Sequence, residues 1–566
     1  MKKRIALLLC FALLLPVLSL ASCAGDGGDE TTAVTTENDG PYTVTFVAGG
    51  RETSVTVERG ETPVCPEEFL SWETAEHFYK ILGWDKEIVP AQGDVTYTAN
   101  VGEYGLALYE VLFVLPIGIV KVPTHEGEIP TPPKGYETDD THEYKIGAFK
   151  EWDKELTAPT ADNTENGTKK MSYSPIYTYE PRYVAALTPV KDGAKGIFTM
   201  TYDDGRYYTA MWVNEENKKY GLTGSCMMVP NWNKSNPDFT FDGGSIAKWN
   251  ALFADGTLEP QSHSMSHEGK ARLADESSSI WEECKYNNYQ ENYQYELVQA
   301  VTELKKAFPN FDPICFAPSN NTLSRVSWRS DGKGNLLKDT SGNYVLVKDG
   351  GATKVAEATY YAIRKGDRRT VQTLDPAPDG NAGGWYNLAI KAFKDFSGDE
   401  KLTQGKKWLD DAVNNRTWLI VMCHGITTSG GDIKQSLADQ FFAYAGQYVK
   451  NGVLWSATFG DATKYIRERQ NTTVSARFEN NAVLVDMTIN RTTADGKTLD
   501  ESVFNYPLTV EVRVPDAWKN VQYTDGGKTL TAEVYKHDGA SFAMVNLTPG
   551  ADGATVTTAV TRASAN

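Results

Sequence analysis

Gly196-Ile197-Phe198-Thr199-Met200-Thr201-Tyr202-Asp203-Asp204-Gly205 sets a short apolar run against two adjacent carboxylates and a glycine. Ile197–Tyr202 fits a buried strand that ends on Asp203 and Asp204. From Gly196 to about Gln470 the same texture recurs. Ser225–Val229, Leu258–Gln261, Pro313–Pro318, Tyr360–Arg364, Trp418–Cys423 and Val453–Thr458 read as strands. Gln294–Phe308 carries Leu297, Val301, Leu304 and Phe308 at helical spacing and is stopped by Pro309, and further helices fall near Ser436–Val449 and Asp461–Arg469. Alternating βα units predict a parallel sheet or barrel, in which function gathers at the C-terminal ends of the strands.

The ionisable residues of this region lie at those ends. Three of the seven histidines fall here, each at or just beyond a predicted strand. His263-Ser264-Met265-Ser266-His267 follows Leu258–Gln261, and in a helical turn the two imidazoles share one face and can reach one ion. His424 closes the run Leu419–Cys423. Each feature has a plain alternative: Asp-Asp-Gly as a turn, the pair as surface histidines, His424 as a hydrogen-bonded barrel residue. Together they offer more. A carboxylate and two histidines make a three-ligand metal site with room for water, a second carboxylate can take a proton, and a separate histidine can return one.

Thr201-Tyr202-Asp203-Asp204-Gly205 resembles the first motif of the NodB-type polysaccharide deacetylases (carbohydrate esterase family four), and His263-Ser264-x-x-His267 resembles the second. Cys315-Phe316-Ala317-Pro318 sits where the third motif falls, and Leu419–His424 resembles the last. The resemblance covers roughly Gly196–Gln470. It implies an incomplete (β/α) barrel that removes N- or O-acetyl groups from an acetylated polysaccharide. Asp204, His263 and His267 would hold one divalent metal, most often zinc, with cobalt or nickel able to substitute. Asp203 would serve as general base and His424 as the acid for the departing amine or alcohol. A backbone N–H near the third motif would share in stabilising the oxyanion.

The third motif departs from the family pattern, since Ala317-Pro318-Ser319 stands where an Arg that orients the base is common. Arg364, at the end of its strand, is a candidate for that task. Arg364 and Trp232, the latter able to stack on a sugar ring, are also the two candidates for contact with substrate. Ser330–Gly351 reads as an inserted hairpin.

Outside the central region the chain is modular. The 566 residues are 40% apolar and 23% charged, enough for several domains with cores of their own. A net charge of −18 with no basic block argues against nucleic acid as a partner. Residues 1–22 read as a signal peptide with Lys2, Lys3 and Arg4 ahead of an apolar run. Leu20-Ala21-Ser22-Cys23 resembles a lipobox, which implies export and attachment of residues 23–41 to a membrane surface through a lipid on Cys23. The remaining cysteines, Cys65, Cys226, Cys284, Cys315 and Cys423, are an odd, widely spaced set that suits buried free thiols.

Tyr42-Thr43-Val44-Thr45-Phe46-Val47 returns 67 residues later as Tyr109-Glu110-Val111-Leu112-Phe113-Val114, and Gly60-Glu61-Thr62-Pro63 returns as Gly127-Glu128-Ile129-Pro130. His77 and Trp84-Asp85-Lys86-Glu87 recur as His142 and Trp152-Asp153-Lys154-Glu155. Two small β-rich repeats, 42–101 and 109–162, are therefore expected. The first resembles the Listeria–Bacteroides surface repeat, a β-grasp-like module, with spacing or adhesion as its role. By the same alignment Leu106–Val122, apolar but interrupted by Glu110 and Pro116, reads as strand and not as a membrane span. Residues 163–195 read as a linker, and 471–566 as a C-terminal β-sandwich, with bracing the barrel or binding carbohydrate as its role.

Two other functions compete. One is an inactive carbohydrate-binding or adhesion protein on the same scaffold, suggested by the repeats and the missing Arg. The other is a glycosidase with paired carboxylates, for which Asp203 and Asp204, adjacent in sequence, are a poor start.

Overall fold

A computed structural model of the chain describes residues 41–162, 170–230, 244–267, 294–319, 327–328, 338–342, 346–347, 351–365 and 371–564. Trp232, Cys23, Cys284 and most of the expected hairpin at Ser330–Gly351 lie outside these residues. The chain divides into two compact units, one of residues up to Glu137 together with Phe149–Tyr177, the other of Thr138–Ala148 together with Thr178 onward.

The second unit contains a barrel-like parallel sheet. Its strands are β1 (Gly196–Tyr202), β2 (Gly224–Met228), β3 (Leu258–Ser262), β4 (Cys315–Phe316), β5 (Ala362–Ile363), β6 (Lys391–Ala392), β7 (Trp418–Cys423) and β8 (Leu454–Ser456). The order is β5-β4-β3-β2-β1-β7-β6, and β8 pairs with the start of β1, whose end pairs with β2. A parallel bridge from Arg364, just past β5, to Leu388, just before β6, brings the sheet back on itself. Helices α1 (Tyr207–Tyr220), α2 (Ile246–Phe253), α3 (Ala300–Ala307), α4 (Gly351–Thr359), α5 (Glu400–Asn415), α6 (Gln435–Lys450) and α7 (Phe459–Gln470) alternate with the strands.

Strand alternation assigns the side chains. Phe198, Met200, Tyr202, Val421 and Cys423 join Val213 of α1, Leu409 of α5 and Phe441 of α6 in one cluster. Ile197, Trp418, Ile420 and Met422 have the opposite parity and join a second cluster. Every residue of β1 and β7 is buried, as parallel strands covered on both faces require.

That second cluster continues into the C-terminal sheet through Val483, Val485, Leu508 and Val510. There Leu508–Val514, Ala540–Leu547, Lys528–His537, Asn520–Asp525, Thr555–Arg562, Ala482–Ile489 and Thr472–Glu479 are adjacent in that order and antiparallel. Lys528–His537 pairs with strands of both halves and forms the corner between them. Arg467 of α7, almost wholly buried, bonds the Tyr361 carbonyl of the barrel and reaches Asp495 (2.9 Å), in the loop that follows Ala482–Ile489 of the C-terminal sheet.

The expected linker at 163–195 is instead structured where it is described. Lys170–Tyr173 and Pro175–Pro181 are strands, and Ala185–Leu187 adds antiparallel to Leu508–Val514. Its polar, Tyr- and Pro-rich composition reflects short strands with one face exposed, not absence of structure.

In the first unit the sequence repeat is a structural repeat. Tyr42–Ala48 pairs antiparallel with Arg51–Val57 and parallel with Val95–Thr98. Tyr109–Leu115 does the same with Gly118–Thr124 and Lys170–Tyr173. Phe46 packs on Trp84 and Tyr97 at 4.9 and 5.7 Å, and Phe113 on Trp152 and Tyr173 at 5.1 and 5.7 Å. Asp85 exchanges hydrogen bonds with Thr98 as Asp153 does with Ser174, and Lys86 and Lys154 lie over Tyr97 and Tyr173. His77 is half exposed beside Glu103 at 3.4 Å, as is His142, which falls in the second unit, beside Asp139 at 3.4 Å. Leu106–Val122 is strand and hairpin, and among the described residues no helix is long and apolar enough to cross a membrane.

Candidate metal centre and acid–base groups

Strand register places the site. Tyr202 is level with Cys423, so Asp203 and His424 leave adjacent strands together. Ser262 is level with Phe316 and Phe316 with Ile363, which brings His263, Ala317 and Arg364 to one height. The predicted ionisable residues thus meet at the C-terminal end of the sheet.

Asp204, His263 and His267 converge. Their potential ligand atoms all lie within 4.8 Å of one another, with Nε2 of His263 and of His267 at 3.6 and 3.2 Å from Asp204 Oδ1. His263 Nδ1 lies 2.7 Å from the Ala317 carbonyl, which can only accept, so Nδ1 carries the hydrogen and a neutral ring turns an Nε2 lone pair inward. Asp204 Oδ1 is buried and has no hydrogen-bond partner. A buried carboxylate oxygen facing two imidazole nitrogens is costly on its own and suits a cation. Burial works to raise the Asp204 carboxyl, but Nε2 of His263 and His267 when they carry a proton, together with Arg206, outweigh it and hold it well below the usual carboxylate range. These residues fit a divalent metal of zinc type, a carboxylate and two imidazoles being a donor set such ions take.

The histidine loop is not the expected helical turn. Ser264 has φ 70° and His267 φ 60°, left-handed values that no α-helix contains, and Asp204 has φ 73°. Three of the eight non-glycine residues with positive φ among those described surround this one site. Such backbone persists only where its surroundings over-determine it.

Arg364 is fully buried and its Nη2 donates to Asp203 Oδ1, while Asp203 is itself 2% exposed. This places the Arg364 guanidinium, from the end of β5, beside Asp203. Ala317 donates its N–H to the Ser262 carbonyl, Cys315 donates to Gln261, and Pro318 has no N–H. The amides of those three residues are therefore not open to an oxyanion.

Sequence reasoning missed three charged residues. Asp432 accepts from both the backbone N–H and Nδ1 of His424 at 2.8 Å. Its hydrogen bond raises the His424 pKa against the opposing effect of burial, and Asp203 and Asp204 push the same way. The signal was Gly430-Gly431-Asp432. Gly431 has φ +78°, and a Cβ there would lie 2.3 Å from the Gly425 carbonyl, so only glycine lets the loop fold back. Arg206, next to the motif, donates to Asp204 Oδ2 through Nη2 at 2.9 Å and Nε at 3.2 Å, leaving Oδ1 toward the imidazoles. Glu296, beyond any local motif, holds the histidine loop. Cys226, Cys315 and Cys423 are buried free thiols in β2, β4 and β7, raised in pKa by that burial, and Cys65 is partly buried.

No family model matches the chain. A stretch of 126 residues is 27% identical to a gellan lyase of a Bacillus species, which is 22% of this chain and 4% of that protein. The matched solved structures include a family 4 carbohydrate esterase from Streptomyces lividans, in complex with acetate. It is 12% identical over 47% of this chain and 93% of its own, with a TM-score of 0.27. A mutant peptidoglycan deacetylase from Bacillus subtilis is 13% identical over 47% and 89%, with a TM-score of 0.25. A CE4 family pseudoenzyme from Bacillus anthracis is 11% identical over 49% and 70%, also at 0.25. Overlap of this extent decides neither fold nor chemistry here.

Proposed function

We propose that this protein is a metal-dependent deacetylase that hydrolyses N- or O-acetyl groups of a polysaccharide. The observation that carries the reading is the convergence of Asp204 Oδ1 with Nε2 of His263 and His267, beside a carboxylate held by arginine and a histidine held by a carboxylate. A divalent metal held by Asp204, His263 and His267 would supply Lewis acidity, lowering the pKa of water and polarising the acetyl carbonyl. Asp203, fixed through Oδ1 by Arg364, takes the proton of the attacking water. His424, hydrogen-bonded to Asp432 through Nδ1, presents Nε2 and gives its proton to the departing amine or alcohol. The inactive carbohydrate-binding or adhesion alternative was suggested by the repeats and the missing arginine; the Arg364 guanidinium beside Asp203 favours the enzyme reading. Zinc as the native ion, the lipid on Cys23, export to an outer membrane face and stacking by Trp232 complete the proposal.

Metal analysis and acetate release from a panel of acetylated glycans, with and without added zinc, test it. About one ion per chain, lost in His263→Ala and His267→Ala, is expected for a three-ligand centre. Acetate release that persists in Asp203→Asn, or new reducing ends in place of acetate, refutes it.

A further inference from the structure

His263-Ser264-Met265-Ser266-His267 carries two residues in left-handed backbone, and within those five residues Ser264 Oγ accepts the His267 N–H at 3.1 Å. Further support comes from outside. Ser264 Oγ meets Ser319 Oγ at 3.0 Å, and Ser319 Oγ donates to the His263 carbonyl. The larger contribution comes from Glu296, a carboxylate 4% exposed. It accepts the Ser266 N–H at 3.1 Å on one oxygen and the Ser266 hydroxyl on the other, while its own backbone carbonyl accepts the Met265 N–H at 2.9 Å. Glu296 lies in a single π-helical turn, Gln294–Gln299, that precedes α3, and such wide turns re-aim side chains that a regular helix would point elsewhere.

We infer that Glu296 is a positioning residue for the candidate metal centre: by clamping Ser266 it holds the next residue, His267, in the backbone conformation that turns its Nε2 toward Asp204. The inference rests on the metal reading of the site. It acts through Ser266, whose two donors it takes together. A neutral or apolar side chain at 296 leaves the buried Ser266 donors without a charged acceptor, and the loop then relaxes away from positive φ at His267. His263, fixed separately by the Ala317 carbonyl, stays in place. The variant centre should therefore keep two good ligands and lose the geometry of the third.

The test titrates the full chain with cobalt(II) and follows the visible ligand-field bands, with far-UV circular dichroism and thermal unfolding as folding controls. Partners that orient ligands in this way are worth about ten- to a hundredfold in metal affinity. Glu296→Ala should weaken cobalt by about that factor and shift the bands. Glu296→Gln, which keeps an oxygen acceptor but no charge, should fall between it and the unaltered protein, and Ser266→Ala should follow Glu296→Gln. If Glu296→Ala does not fold, the other two carry the test. Unchanged affinity and spectrum in Glu296→Gln and Ser266→Ala overturn the inference while the metal reading stands. An unaltered protein that takes up no cobalt overturns the metal reading itself.

Discussion

Asp432→Asn removes one negative charge from His424 and keeps an oxygen where both hydrogen bonds are accepted. At 2.8 Å between Asp432 Oδ2 and His424 Nδ1, Coulomb's law gives about 3 kcal/mol at an effective dielectric near 40 and about 1.5 kcal/mol in water. Both side chains are partly exposed, 28% and 16%, so the value belongs in that range and not at interior strength. The interaction favours the protonated ring, so its loss should lower the His424 pKa. The sign follows from the role. His424 donates a proton and is competent only when protonated, so the alkaline limb of kcat/KM should move to lower pH. Proton NMR of the histidine ring signals against pH reads the shift directly, with His424→Gln identifying the resonance, and the acetate-release profile reads it in turnover. An alkaline limb that stays in place while the NMR pKa falls refutes His424 as the acid. A pKa that does not fall refutes Asp432 as the group that raises it.

Arg364→Met leaves Asp203 charged in a buried site, and breaking such a pair costs about 3–5 kcal/mol. Urea unfolding should show that loss, and Arg364→Met combined with Asp203→Asn should recover most of the stability but none of the acetate release. Gly431→Ala forces a Cβ against the Gly425 carbonyl in left-handed backbone, a cost of about 1–2 kcal/mol before the clash is counted. It should reproduce the downward pH shift of Asp432→Asn, and an unshifted profile would show that the loop holds without glycine. Asp495→Asn weakens the buried Arg467 contact that joins α7 to the C-terminal sheet, at about 3–5 kcal/mol at most. Barrel and sheet should then still unfold in one transition at lower denaturant, and two separated transitions would contradict a shared core.

The parts of the site legible in the sequence were those in which strand and chemistry are contiguous. An apolar run ending in Asp203-Asp204 or in His424 announces its own place at the mouth of a parallel sheet. The partner of Asp203 was harder to see, because Arg364 is 161 residues away and meets it only through the curvature of the sheet. Asp432, marked only by the two glycines before it, and Glu296 were missed for a related reason: each reaches its target through a loop or an irregular turn whose shape is set by tertiary contacts. The helical turn expected at His263–His267 failed because i, i+4 spacing does not fix backbone, and Ser264 and His267 take positive φ instead. In the first unit, recurring Trp-Asp-Lys was a sound guide, since each residue does the same work in both copies. The misread linker had too few apolar residues, in strands too short, to show a period.

The two copies in that unit share a strand. Val95–Leu115 runs for 21 residues, or about 70 Å at 3.3 Å per residue. It serves the first copy up to Gly105, where His77 and Glu126 are both its neighbours, and the second beyond it. Two modules that own one strand in common have no swivel between them. Tension applied along that strand is carried by the flanking rungs in shear, all loaded at once, so the pair behaves as a girder and not as beads on a string.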